Sequence, residues 1–300
     1  MRIAVFTKNR VNPAYGAARL GAERAAARLG ATVAHYVPET PDDADEQSAL
    51  VARALADGVD AVAMAAVHPT RVNAAVRAIN AAGVPLVGFV SRSTEGAWDC
   101  FVGADDAALG EAIADYLFAR LPADGTVVVI EAGPDSTTSL DRARGFAAAA
   151  ARHPQLRIVG RCYGRYEYQA ARAAMAALLP SMPRIDGVLA ANDVMALGAL
   201  DALAQAGRRA RVVGVNAIPD AVAAIRRGTL LASADFSAMN LGAVAAECAV
   251  RRARGEALPQ EILLPVAIVD AANAAQWDRP YEERPCIDWS AALAGARPAH

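Results

Sequence analysis

The chain has 300 residues, 55% of them hydrophobic, with 30 Lys and Arg against 32 Asp and Glu and a formal net charge of -2. That length can bury a large core and suits two domains rather than one. The near-neutral balance argues against a nucleic-acid surface, which needs clustered Lys and Arg, and no stretch has a disordered composition.

Short apolar or β-branched runs alternate with longer Ala-rich segments of helical periodicity. A strand at 3–6 precedes a helix at 13–29, a strand at 32–36 precedes a helix at 45–56, and a strand at 61–65 precedes a helix at 70–82. Strands at 85–89 and 100–102 close the first series. The pattern then restarts with a helix at 105–120, a strand at 126–131, a helix at 139–152 and a strand at 158–163. It continues with helices at 166–179, 193–205 and 219–227, strands at 187–191, 211–215 and 230–235, and a helix at 239–254. Strands alternating with helices of this length indicate βαβ units and parallel sheets with helices on both faces. Two successive series predict an α/β chain of two lobes. Residues 262–269 read as one extended run, and 277–289 as an irregular tail pinned to a lobe by Trp277, Tyr281 and Trp289.

The first apolar run ends at Thr7-Lys8-Asn9, too short for a secretory signal, and nothing approaches the roughly 20 apolar residues of a membrane span. Read as written, the chain is expected to remain in the cytoplasm and not to insert into a membrane. Cys100, Cys162, Cys248 and Cys286 form no CxxC or Cys/His spacing, which points to plain thiols, with one disulfide geometrically open. His35, His68, His153 and His300 show no ligand spacing, so no metal is expected. The turn Thr7-Lys8-Asn9-Arg10-Val11-Asn12-Pro13 lacks the glycines of a dinucleotide site, and no P-loop, HExxH or GxSxG occurs. No catalytic pair and no cofactor is expected.

In open α/β sheets ligands bind beyond the carboxyl ends of the strands. That rule selects Lys8 to Tyr15, His68, Ser91 and Arg92, positions 135–142, positions 163–166, Asn192-Asp193 and Asn216, where polar and aromatic groups gather.

Four motifs then resemble one family in the correct order. Asn12-Pro13-Ala14-Tyr15 is similar to the NPFF-type segment of the ribose-binding sugar receptors. Asp141-Arg142-Ala143-Arg144-Gly145-Phe146 resembles their RxxGF helix start. The run from Val188 to Leu200 resembles their strand–NDxMALGAL–helix element, and Val212-Val213-Gly214-Val215-Asn216 their VVGFD segment. LacI-type effector domains share these motifs. The resemblance implies the periplasmic-binding-protein-like I fold: two Rossmann-like lobes with parallel sheets, joined by a three-crossing hinge around a central ligand cleft. It implies crossings near Ala104, 235–237 and Pro265, with an N-terminal lobe of 1–104 plus 237–264 and a C-terminal lobe of 105–236 plus 265–300 including the tail.

Carried over position by position, Lys8, Asn12, Tyr15, His68, Ser91 and Arg92 would line the first lobe. Arg142, Tyr166, Asn192, Asn216 and Phe236 would line the second. Each has a plainer reading. Asn192 could cap the following helix, although Asp193 can fill that role. Arg92 and Arg142 could be solvated. Tyr15 and Tyr166 read equally as core aromatics, and Lys8 and His68 equally as rim residues.

The departures bear on the ligand. Ser91 and Asn216 stand where the family has carboxylates, while Lys8, Arg92 and Arg142 remain cationic. A buried Arg lacking its carboxylate is costly, so the expected ligand carries an acid or is richer in acceptors than a plain aldopentose. The leading expectation is a monomeric substrate-binding protein of an ABC-type importer, taking a sugar, polyol or sugar acid by hinge closure and presenting it to a permease, in the periplasm by family resemblance. The alternative is a cytoplasmic ligand sensor related to LacI-type effector domains, without a DNA-binding headpiece. An enzyme on the same scaffold ranks last.

Overall fold

The computed structural model describes residues 1–297; His300, one of the histidines read for metal spacing, lies outside the described residues. In chain order come β1 (Arg2–Phe6), α1 (Pro13–Arg28), β2 (Thr32–Tyr36), α2 (Ala44–Ala56), β3 (Ala61–Met64), α3 (Asn73–Ala81), β4 (Leu86–Phe89) and β5 (Cys100–Gly103). Then follow α4 (Asp106–Phe118), β6 (Thr126–Glu131), α5 (Thr137–Arg152), β7 (Arg157–Tyr163), α6 (Tyr168–Leu178), β8 (Gly187–Ala190), α7 (Asp193–Gln205), β9 (Arg211–Val215), α8 (Pro219–Arg226) and β10 (Ala232–Asp235). The last elements are α9 (Ala238–Ala253), β11 (Glu261–Leu263), β12 (Ala267–Asp270), α10 (Trp289–Leu293) and β13 (Ala296–Arg297).

The chain divides into two units. The first holds Met1–Ala104, Ser237–Pro265 and the described chain from Tyr281 onward, and the second holds Asp105–Phe236 and Val266–Pro280. The first unit's sheet runs β2-β1-β3-β4-β5-β11-β13, and the second's runs β7-β6-β8-β9-β10-β12. Among the described residues, the named strands pair in parallel except at the chain's late strands, β13 on β11 and β12 on β10. Within each sheet the strand order reverses direction once, between β1 and β3 and between β6 and β8. Such switch points are where open α/β sheets leave room for a ligand beyond the strand ends.

The strands read as continuous apolar runs because parallel sheets are covered on both faces. Ile3, Ala4, Val5 and Phe6 are all fully buried, as are Val127 to Ile130. Edge strand β7 alternates exposed and half-buried positions instead. In the first unit α9 is almost wholly enclosed, with 12 of its 16 residues buried. It meets α1 at facing glycines: a Cβ on Gly21 would lie 1.9 Å from the Met239 carbonyl oxygen, and one on Gly242 2.0 Å from that of Ala18.

Two expectations need correction. Residues 262–269 are not one strand: β11 pairs with β5 in the first sheet and β12 with β10 in the second, with Pro265 between them. The tail does not stay with the second unit as expected for 265–300. It remains there only to Pro280, and the chain then passes back to the first unit, a fourth crossing beyond the three implied by the resemblance. Specific bonds hold it there. Arg24 Nη1 donates to the Arg284 carbonyl at 2.8 Å, Ile287 N to Asn240 Oδ1 at 2.9 Å, and the Arg251 guanidinium lies 4.5 Å above the Trp289 ring. Trp277 belongs to the second unit, where its indole N–H donates to Asp235 at 2.7 Å.

Candidate ligand-binding site

In the first unit the loop after β1 is built by asparagines. Asn12 caps α1, accepting from Ala14 N at 3.0 Å, while its own N–H donates to Asn9 Oδ1 at 3.0 Å. This leaves Lys8 and Asn9 buried and Asn12 and Tyr15 half-buried at the strand's carboxyl end. In the segment after β3, His68 Nδ1 accepts from Thr70 N and Arg71 N, both at 3.1 Å.

After β4, Val90 sits at φ 64, with Ser91 N donating back to the Phe89 carbonyl at 2.7 Å. A β-branched residue in that region is a genuine outlier, and such strain gathers at functional loops. The turn aims Ser91 at the segment after β3, where its hydroxyl donates to the Ala66 carbonyl at 2.8 Å. Ser91 is therefore left with acceptor capacity only. Arg92 is exposed and lies 4.8 Å over the Phe101 ring.

The second unit gathers its polar groups more tightly. Arg142, on α5, is 4% exposed; its Nε donates to Asp106 Oδ1 at 2.7 Å and its Nη1 to the Ala191 carbonyl at 2.7 Å, with the buried Phe236 ring 5.4 Å away. Asp106 overturns the premise that Arg142 lacks a carboxylate. It starts α4, where the preceding Asp105 takes the cap by accepting from Ala108 N at 2.9 Å. The close approach of α4 and α5 rests on two glycines. A Cβ on Gly145 would lie 2.1 Å from the Ala107 carbonyl, and one on Gly110 2.5 Å from that of Arg142.

At the end of β8 the helix cap expected from Asp193 is made by Asn192. Asn192 is the cap, accepting from Met195 N at 2.9 Å through Oδ1. That bond fixes its amide orientation, and Nδ2 is buried with no protein partner. Asp193 turns inward instead. It accepts from Ser233 Oγ at 2.6 Å and Ile218 N at 2.9 Å, and Ser233 Oγ accepts from Ala217 N at 3.0 Å. Burial pushes the Asp193 carboxyl up to about 7, with Asp235 adding to the rise and the hydrogen bonds and Arg142 opposing it.

This buried network clamps a strained loop. Asn216 and Ala217 follow β9 at φ 120 and 48, and Asn216 Oδ1 is buried without a protein partner. After β7, Arg165 and Tyr166 both have positive φ, 51 and 57, and the Tyr166 hydroxyl meets Thr138 Oγ1 at 2.9 Å.

Within the second unit, then, Arg142 and Phe236 come together, and Arg142 bonds the residue before Asn192. Asp106, Asp193, Ser233, Thr138 and Asn9 were not singled out as site residues. Asn9, in the post-β1 turn, Thr138, within positions 135–142, and Asp193, beside Asn192, carried a positional signal. The others reach the site through tertiary packing.

The model for a periplasmic binding protein domain matches residues 3–257. The ribose import binding protein of Bacillus subtilis is 27% identical over 266 residues, 89% of this chain and 85% of that protein. An ABC transporter solute-binding protein from Mycobacterium smegmatis, solved with glycerol, is 29% identical with a TM-score of 0.87, covering 93% of this chain and 97% of that one. Another from Actinobacillus succinogenes, solved with D-allose, is 25% identical with a TM-score of 0.87, covering 91% and 99%. This chain belongs to the periplasmic binding protein family, in its type I, ribose-binding-like branch.

Proposed function

We propose that this chain is the solute-binding receptor of an ABC-type importer and that it takes a neutral, monosaccharide-sized sugar or polyol by hinge closure. The observation that carries this reading is the pair of buried side-chain atoms without protein partners, Asn192 Nδ2 and Asn216 Oδ1, at the ends of the adjacent strands β8 and β9. One is a donor and the other an acceptor. A hydroxyl group does both, so a polyhydroxylated ligand satisfies the two at once. A carboxylate offers acceptors only. Since Asp106 already balances Arg142, that guanidinium needs no ligand acid to neutralise it.

Tyr166 and Tyr15 supply aromatic faces for the apolar side of a sugar ring, and Lys8, Asn12 and His68 supply further polar groups. The relatives support the chemistry: their names and bound molecules are ribose, allose and glycerol, all neutral and polyhydroxylated. Ligand binding shifts an open–closed equilibrium whose closed state the permease reads, and no bond is made or broken. The reading carries with it a periplasmic location, a permease partner and a monomer.

A thermal-shift panel of neutral pentoses, hexoses, polyols and sugar acids tests it. At 100 times its dissociation constant a ligand stabilises the fold by about 2.7 kcal/mol. Neutral members are expected to raise the melting temperature and acids to leave it unchanged. Stabilisation by acids alone sinks the neutral assignment; stabilisation by none sinks the receptor assignment.

A further inference from the structure

Cys100 opens β5 and Cys248 lies in the second half of α9. Both are fully buried at 0% exposure, and their sulfurs lie 4.0 Å apart although 148 positions separate them in sequence. The backbones around them are held in place. Asp99, the residue before Cys100, accepts from Leu86 N at 2.8 Å and from Arg252 Nε at 2.7 Å. Arg252 is one helical turn beyond Cys248 and on the same face of α9, so the ion pair and the sulfur pair bridge the same strand and helix side by side. On its other side α9 is locked to α1 by Gly21 and Gly242.

We propose that Cys100 and Cys248 are a disulfide-forming pair, a cross-link within the first unit made by exchange with a disulfide oxidant while the chain folds. The bond needs the sulfurs at about 2.05 Å, and the fold brings them to 4.0 Å. In the exchange one cysteine thiolate attacks the oxidant's disulfide, forming a mixed disulfide and releasing one oxidant thiol. The second cysteine thiolate attacks the protein sulfur of that intermediate and expels the other oxidant thiol. Two protein thiols are oxidised to one disulfide, and the oxidant disulfide takes up the two electrons and two protons as two thiols.

Burial sets the timing. In the folded chain the adjacent Cys100 sulfur, burial and the Glu247 carboxylate push the Cys248 thiol well up, which removes the reactive thiolate. Exchange therefore belongs to the folding chain, and the family's periplasmic setting is an oxidising one where such bonds persist. Cys162 and Cys286, both half-buried, are not part of it.

The full chain is unfolded and reduced, then refolded in parallel with a glutathione redox mixture and with excess dithiothreitol. Each sample is blocked with iodoacetamide in denaturant, and intact mass and proteolytic peptides are measured. The oxidised sample is expected to carry label on Cys162 and Cys286 only, with the Cys100 and Cys248 peptides joined, and to unfold at higher urea than the reduced one. Adding the same mixture after folding is expected to leave all four thiols reduced. Label on all four in the oxidised sample, a bond through Cys162 or Cys286, or an oxidised chain lacking the native circular dichroism overturns the proposal. Equal oxidation after folding overturns its timing. A Cys162→Ser/Cys286→Ser chain, which keeps the buried pair, repeats the assignment without competing exchange.

Discussion

Asp106→Ala removes the carboxylate partner of Arg142 and leaves a guanidinium in the interior. The two groups lie 2.7 Å apart with side chains only 5% and 13% exposed. At an effective dielectric of about 20, a pair at 2.7 Å attracts by ~6 kcal/mol, set against a solvation cost of several kcal/mol per ion. Deleting one partner keeps the other ion's solvation cost and forfeits the attraction, about 3–5 kcal/mol in general. Here the Ala191 carbonyl and the Phe236 ring still receive the cation, so the lower end, about 3 kcal/mol, is expected. Urea unfolding measures it. Trp277 is the tryptophan of the second unit, so its fluorescence in a Trp98→Phe/Trp289→Phe background follows that unit. Asp106→Leu combined with Arg142→Met is expected to recover most of the loss, because no unpaired charge remains. An Asp106→Ala variant within about 0.5 kcal/mol of the parent would refute the pairing argument.

Three further outcomes are expected. The Asp193 carboxyl is raised from 3.8 to about 7, so the folded chain holds that proton more tightly than the unfolded one. The stability this supplies is fully present below about pH 4 and is lost as pH rises through 7, by up to ~4 kcal/mol; urea midpoints of Asp193→Asn measured from pH 4 to 8 should be flatter than the parent's, and an identical profile contradicts this. Gly145→Ala puts a Cβ 2.1 Å from the Ala107 carbonyl and drives α4 from α5; a loss of at least about 2 kcal/mol is expected, with weaker binding of whichever sugar or polyol stabilises the parent, and a neutral outcome in both assays would show that the helices are not in contact as described. Ser233→Ala deletes the hydroxyl that links Asp193 to the Ala217 amide; faster amide exchange at Ala217 is expected, and unchanged protection counts against the clamp.

Much of this was legible in the sequence, and the failures have physical causes. β8 and α7 could be read because a buried parallel strand is a continuous apolar run and Asn-Asp punctuates its end. Asn192 and Asp193 were both visible as capping residues, but which one caps depends on backbone angles. Asn192 is extended, and Asp193 is drawn inward by Ser233, forty positions on. Asp106 escaped notice because a carboxylate in the first turn of a helix is ordinary locally, and its pairing with Arg142 depends on how α4 crosses α5. The part of the acid-ligand argument that rested on an unpartnered Arg142 lapses with it. β11 and β12 read as one run because hydrophobic pattern reports burial and not which sheet a strand joins. The tail's return was hidden because α10 and β13 are too short to show a period.

Calorimetric titration with the neutral sugar or polyol that most stabilises the chain tests the account's central claim most directly. It compares the parent with Asn192→Ala, Asn216→Ala and, as a control, the exposed Arg144→Ala. Two buried amides that lose a hydroxyl partner should each weaken binding by at least tenfold, about 1.4 kcal/mol, with Arg144→Ala unchanged. A ligand whose affinity is the same in all four proteins would contradict the assignment of these strand ends as the binding site.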